Sequence, residues 1–144
     1  MLDLPRQFAP HVEGGQFAEL PLPEIAARCS GWAVFVAVPM IWEREVSPCA
    51  RVWRAQCGNV LGDLLRSGVM AVQPHFMAES VAADHSDAVA ADCVQVALAA
   101  SALAACRAVI VPPVVGWRRS LAVYDAVQYA AANGRPVYFM QGAG

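Results

Sequence analysis

Charge is what this chain has least of. Ten Lys or Arg and twelve Asp or Glu make up 15% of its 144 residues, well below the usual quarter. The formal net charge of −2 offers no general attraction to a nucleic-acid polymer or an anionic membrane surface. The five cysteines (Cys29, Cys49, Cys57, Cys93, Cys106) are an odd number with no CxxC and no His-paired spacing. That argues against a zinc site or a disulfide framework and reads as reduced, mostly buried thiols in a cytoplasmic protein. GxGxxG, a Walker loop, GxSxG and HExxH are all missing, which removes the common dinucleotide, NTPase, hydrolase-triad and zincin readings. No signal peptide is read, because the first thirty residues carry Asp3, Glu13, Glu19 and Glu24 and no apolar core run. The apolar window Val96–Gly116 is interrupted by Arg107 and by Pro112-Pro113, so a helix followed by a strand fits it better than a membrane span.

What the chain has in abundance is apolar side chains, 58% of the total. A chain of this length makes one domain and buries roughly two-thirds of its unfolded surface. So little charge on so small a domain implies that another subunit covers part of the surface, most simply in a homodimer. Ala88–Ala105 points the same way: it reads as an alanine-rich helix, apolar almost all round.

Residues 1–30 read as a loop-rich N-terminal arm, with Pro5, Pro10, Pro21, Pro23 and Gly14-Gly15, where only Pro23–Cys29 offers a helical turn or two. Residues 31–144 read as an α/β domain. Trp32–Val38 (WAVFVAV) has the unbroken apolar character of a parallel strand buried on both faces, and Pro39 stops it. Val46–Ser67 reads as a helix, weakened by Gly58 and Gly62 and capped by Gly68. Val69–Val72 is a strand, opening into a polar loop, Gln73–Asp87. Ala108–Val111 is a third strand and Pro136–Phe139 a fourth. Strands alternating with helices predict an open parallel sheet of four or five strands with helices on both faces, a three-layer arrangement of the Rossmann or flavodoxin kind, with Trp32–Val38 central.

The segment GWRRSLAVYDAVQYAAANGRPVYF, from Gly116 to Phe139, locates the site. It follows a strand, turns through Pro112, Pro113 and Gly116, and offers Ser120 as a helix N-cap; Asn133-Gly134 ends the helix. Loops at the carboxyl ends of parallel strands, facing helix N-termini, are where ligands bind. Ser120 therefore reads as a cap that also contacts a ligand, or as a cap alone. Trp117 reads as a stacking surface for a base, or as a cover for the sheet end. Arg118 and Arg119 read as phosphate partners or as solvated surface. His75, at the carboxyl end of the second strand, reads as a pocket residue or a structural histidine. His85, in DHSD, lacks a partner pair at a recognised metal spacing. Glu43 and Glu45 are further carboxylates near the first strand.

FVAVP at the first strand, RSG before the second, VQPHF at its end and GWRRS…A…NGRPV near the C-terminus resemble the nucleoside 2-deoxyribosyltransferase-like superfamily. The similarity is closest to its small, uncharacterised bacterial and phage branch with a GWxxS motif, and it covers about Trp32 to Met140. The resemblance implies a nucleoside or nucleotide ligand, no cofactor, and cleavage or transfer of an N-glycosidic bond by a helix Glu nucleophile assisted by an Asp. It places Pro39, Met40, His75, Gly116, Trp117 and Ser120 around the nucleoside, and Arg54 (or Arg51) with Arg118 near a phosphate. Counted from Gly116-Trp117, the family's Glu falls on Ala126, and its helix Asp near Ala99 or Ala100. Asp125, one residue earlier and about 100° round a helix, reads as the nucleophile, as the salt-bridge partner of an arginine, or as an exposed helix residue. The alternative is a non-catalytic ligand-sensing or assembly protein on the same fold.

Overall fold

Valines 34, 36 and 38 pack into one apolar cluster, whereas Phe35 and Ala37 pack into another. Successive side chains of a strand point to opposite faces, so this one segment has apolar partners above and below it. The computed structural model describes residues 17–40, 50–77 and 92–142, and in them the two clusters sandwich a single sheet.

The described elements run β1 (Phe17–Leu20), α1 (Leu22–Arg28), β2 (Ala33–Val36), α2 (Ala50–Arg66), β3 (Met70–Val72), α3 (Asp92–Ala105), β4 (Ala108–Val111), α4 (Leu121–Ala132) and β5 (Val137–Met140). All five strands are parallel, in the order β1-β5-β4-β2-β3. Ile25 of α1, Cys29 just past it, and Trp53, Cys57, Leu61 and Leu64 of α2 cover one face. Ala99, Ala102 and Leu103 of α3, with Val123, Ala126, Val127 and Ala130 of α4, cover the other. The three-layer α/β architecture expected from the sequence is present. Each fully buried Val or Ile contributes roughly 1.5–3 kcal/mol, so the two clusters are the main source of stability.

The element boundaries follow local chemistry. Gly68 (φ +84°) and Gly134 (φ +66°) adopt the left-handed conformation just past α2 and α4, as helix-ending glycines do. Arg135 secures the end of α3: its Nη1 donates to the carbonyl oxygens of Leu103 (2.7 Å) and Cys106 (2.6 Å). Gly58 does not break α2, and a Cβ there would come within 3.8 Å of Phe76.

Three sequence expectations need correction. Residues 17–20 are not loop: β1 forms the sheet edge beside β5, with Phe17 opposite Val137, whereas the helical turns expected over Pro23–Cys29 are present as α1, which starts one residue earlier. Four residues are too few to show a periodicity, and β1's partner lies 120 positions away (137 − 17). The central strand is β4 rather than β2, although β2 has neighbours on both sides. Sequence order does not say on which side of β2 the chain returns after β3. Finally, residues 74–77, read as the start of a polar loop, begin a helix, for which Pro74 is suited because its fixed φ matches the first helical position.

Cys29, Cys57 and Cys106 are free and buried. Burial pushes the Cys29 thiol up to about 11, against the pull of Arg28, and Cys57 up to about 12. Cys49 and the Cys93 side chain lie outside the described residues. On α3, Leu98, Ala100, Ser101, Ala104 and Ala105 are exposed, an outward side of small and apolar residues. Among the described residues no helix is long and apolar enough to cross a membrane.

Candidate functional site

The chain runs from β2 outward to β3 and then returns past β2 to β4, so the strand order reverses between β2 and β4. In open parallel sheets the crevice at the carboxyl ends of two such strands is the usual ligand site. Here that edge carries Ala37–Met40 after β2, residues 73–77 after β3 and residues 112–120 after β4. Ala37, Val38, Pro39 and Met40 are all buried.

Gln73 joins two of these segments. Its Nε2 donates to the Val36 carbonyl (2.9 Å), and its Oε1 accepts from the Phe76 N–H (3.1 Å). Because β3 ends at Val72, opposite Phe35, the Gln73 amide takes the position the next ladder bond would have held. His75 follows, 1% exposed, its ring edge-to-face with Trp53 at 5.0 Å and 70°. Trp53 in turn donates through Nε1 to the Pro39 carbonyl. Thus the segments after β2 and β3 are tied together through α2.

The loop after β4 is held in the same way. Val115 N–H donates to Gln56 Oε1 of α2 (3.0 Å), and Gly116 takes φ +86°, a conformation costly for any side chain bearing a Cβ. Trp117–Arg119 make a single 3-10 turn leading to Ser120. The Ser120 hydroxyl caps α4 by accepting from Val123 N–H at 3.2 Å, as its sequence position predicts. Among the described residues the buried polar side chains are Gln73, His75 and Ser120, and all three belong to this edge. β2 lies between the strands carrying His75 and Ser120, two ladder spacings, or about 10 Å.

Trp117 and Arg118 lie beside β1 and β5. With Phe17, Ala18, Glu19, Phe139 and Met140 they line a depression of about 210 Å³ at the ends of β1 and β5. Trp117 lies 5.8 Å from Phe139, and the Arg118 guanidinium sits 4.9 Å from the centre of the Trp117 ring. The structure therefore places Arg118 against an aromatic surface, shared with a carboxylate.

Asp125 is exposed, unlike the buried Gln73, His75 and Ser120. It lies with Leu121, Gln128 and Ala132 on the exposed stripe of α4, while Val123, Ala126, Val127 and Ala130 face the sheet. The one-residue offset from Ala126, about 100° of helix rotation, turns it outward. Ala126 itself is 3% exposed and packed in the core. Ala99 packs on the same cluster and Ala100 is exposed. Arg54 and Arg119 are exposed. Ile41, Trp42, Glu43, Glu45 and His85 lie outside the described residues. Among the described residues no three His, Cys, Asp or Glu gather as metal ligands.

Sequence reasoning missed Gln73 and Glu19. Gln73 had one available signal, a polar residue between a strand and the proline that opens a helix. Glu19 had none, since its strand was not recognised. No curated protein and no solved structure matches the chain. The family described as a domain of unknown function, DUF1937, matches residues 32–142, and the chain belongs to that family.

Proposed function

We propose that the protein binds a nucleoside or nucleotide at the carboxyl edge of its sheet and holds it without cleaving the N-glycosidic bond. The observation that carries this reading is the gathering of Gln73, His75 and Ser120, the buried polar side chains of the described residues, at that one edge. A core that is otherwise apolar admits polar groups where they have a structural or ligand-binding role. The GW..S loop, similar to that of deoxyribosyltransferase-like proteins, favours a nucleoside as the ligand class. In this reading Pro39, Met40 and His75 form one wall of the crevice. Gly116 and Ser120 form the other, Trp117 supports the base with Arg118 beside it, and Arg54 meets a phosphate.

The non-catalytic form of the reading is favoured by Asp125 and Ala126. Glycosyl transfer by a retaining route needs a carboxylate against the anomeric carbon. The candidate acid is on the solvent side of α4, and the position facing the sheet carries a methyl group. The outward side of α3 is the surface we assign to a second copy in a homodimer.

The test is a thermal-shift and calorimetric titration of the whole protein with deoxynucleosides, ribonucleosides and their monophosphates, with chromatography for free base. A ligand present at a hundred times its Kd stabilises by about 2.7 kcal/mol, a rise of roughly 5–10 °C for a chain of this size. Stabilisation without base release is expected. Base release that disappears in Asp125→Asn would overturn the non-catalytic reading, and no stabilisation by any member of the panel would overturn the ligand class.

A further inference from the structure

The depression beside Trp117 combines rings with two opposite charges. Phe17 and Phe139 meet edge-to-face at 6.2 Å and 75°, and Trp117 leans on Phe139 at 43°. Phe17 and Phe139 pack in the same apolar cluster, and Trp117 rests against it, so the rings lie on one face of the sheet. Glu19, two residues after Phe17, points to that face by strand alternation and is exposed there. Arg118 completes the lining. At about 210 Å³ the space is smaller than the roughly 300–1,000 Å³ of sites that enclose a drug-sized ligand. It fits one ring system, with the remainder of a ligand extending towards the loop after β4.

We propose that this depression is a base-recognition site that selects guanine over the other bases. The proposal rests on the nucleotide-binding reading above and adds its base specificity. Aromatic walls favour a flat ring, and stacking on such side chains is insensitive to which base is bound, at roughly 1–3 kcal/mol per base. The charges supply the discrimination. A carboxylate accepts only, and guanine is the base that offers it two adjacent donors, N1–H and the 2-amino group. A guanidinium donates only, and guanine offers it the O6 and N7 acceptors that arginine commonly reads. Adenine would set its N1 lone pair against the carboxylate beside its single amino group. Cytosine would set N3 there, and uracil or thymine would flank one N–H with two carbonyl oxygens. Each of these leaves a like-polarity contact that guanine avoids, and an unmatched polar group weakens binding more than a missing contact does. Phe17, Ala18 and Glu19 lie outside the span matched by the family, residues 32–142.

The experiment is calorimetric titration of the full chain with GMP, IMP, AMP and CMP, with tryptophan fluorescence followed in parallel on wild type and Trp117→Phe. GMP is expected to bind at least tenfold more tightly than AMP or CMP, with IMP, which lacks the 2-amino donor, between them. Its quenching of fluorescence should be reduced in Trp117→Phe. Glu19→Gln, an exposed change that should leave the melting temperature unaltered, is expected to weaken GMP at least tenfold and AMP less than twofold. Four nucleotides binding alike, with Glu19→Gln without effect, would overturn guanine selection and leave the nucleotide-binding reading standing. Binding by none of them would overturn both.

Discussion

Replacing Gln73 by leucine tests whether one side chain holds the two walls of the crevice in register. Gln73 is 1% exposed and makes two hydrogen bonds, to the Val36 carbonyl at 2.9 Å and from the Phe76 N–H at 3.1 Å. Leucine is similar in size and makes neither. Leaving the buried carbonyl without its donor costs about 1–3 kcal/mol. Losing a side-chain acceptor at the start of the next helix adds roughly 0.5–2 kcal/mol. Better burial of the leucine offsets part of this, so the expected net loss is about 2–4 kcal/mol, a large share of a domain stability of roughly 5–15 kcal/mol. Urea unfolding followed by circular dichroism should show it as a lower midpoint with unchanged slope.

Gln73→Glu separates the two bonds. Its carboxylate can still accept from Phe76, but it can donate to the Val36 oxygen only when protonated. Facing a carbonyl in a buried position, it should have a folded-state pKa above the ordinary value of about 4.3. An acid with a raised folded pKa contributes stability that is present below the unfolded value and lost as pH rises through the folded one. The gap between Gln73→Glu and wild type should therefore be small near pH 4 and wide at pH 7. A loss below about 0.5 kcal/mol for Gln73→Leu, within the range of an inconsequential surface change, would refute the argument. So would a Gln73→Glu gap independent of pH.

Two further outcomes follow from packing. Arg135→Ala removes the forked donor from the carbonyls of Leu103 and Cys106 and its guanidinium from over Tyr129; urea unfolding should show a loss of about 2–3 kcal/mol, and Arg135→Lys, with charge but no fork, should recover part of it. Cys57 has its thiol raised to about 12, so its neutral form belongs to the folded state; stability should be fully present below pH 9 and decline as pH rises towards 12, more shallowly in Cys57→Ala. In native protein at pH 8 the same thiol should resist iodoacetamide, since only the thiolate reacts, and rapid labelling would contradict its burial.

Some features were decided by sequence alone because their causes are local. WAVFVAV and AVIV contain strands since unbroken apolar runs suit a sheet covered on both faces, and Val34–Val38 and the whole of β4 are buried. Ser120 caps α4, and Gly68 and Gly134 take positive φ, because cap geometry depends on a few adjacent residues. The loop after β4 could be located for the same reason. What sequence could not decide depends on partners far along the chain. Phe17–Leu20 is a strand only because β5 lies beside it. β4 is central only because the chain returns past β2. Gln73 is a bridge because a carbonyl 37 positions earlier has no neighbouring strand to bond it. Asp125 and Ala126 differ by one position in sequence, yet the packing of α4 on β4 and β5 sends the acid to solvent and the methyl group to the core. The tertiary fold likewise brings Glu19 to Trp117 and Arg118, across about a hundred residues, because side-chain neighbours at a sheet edge are set by strand order rather than by distance along the chain.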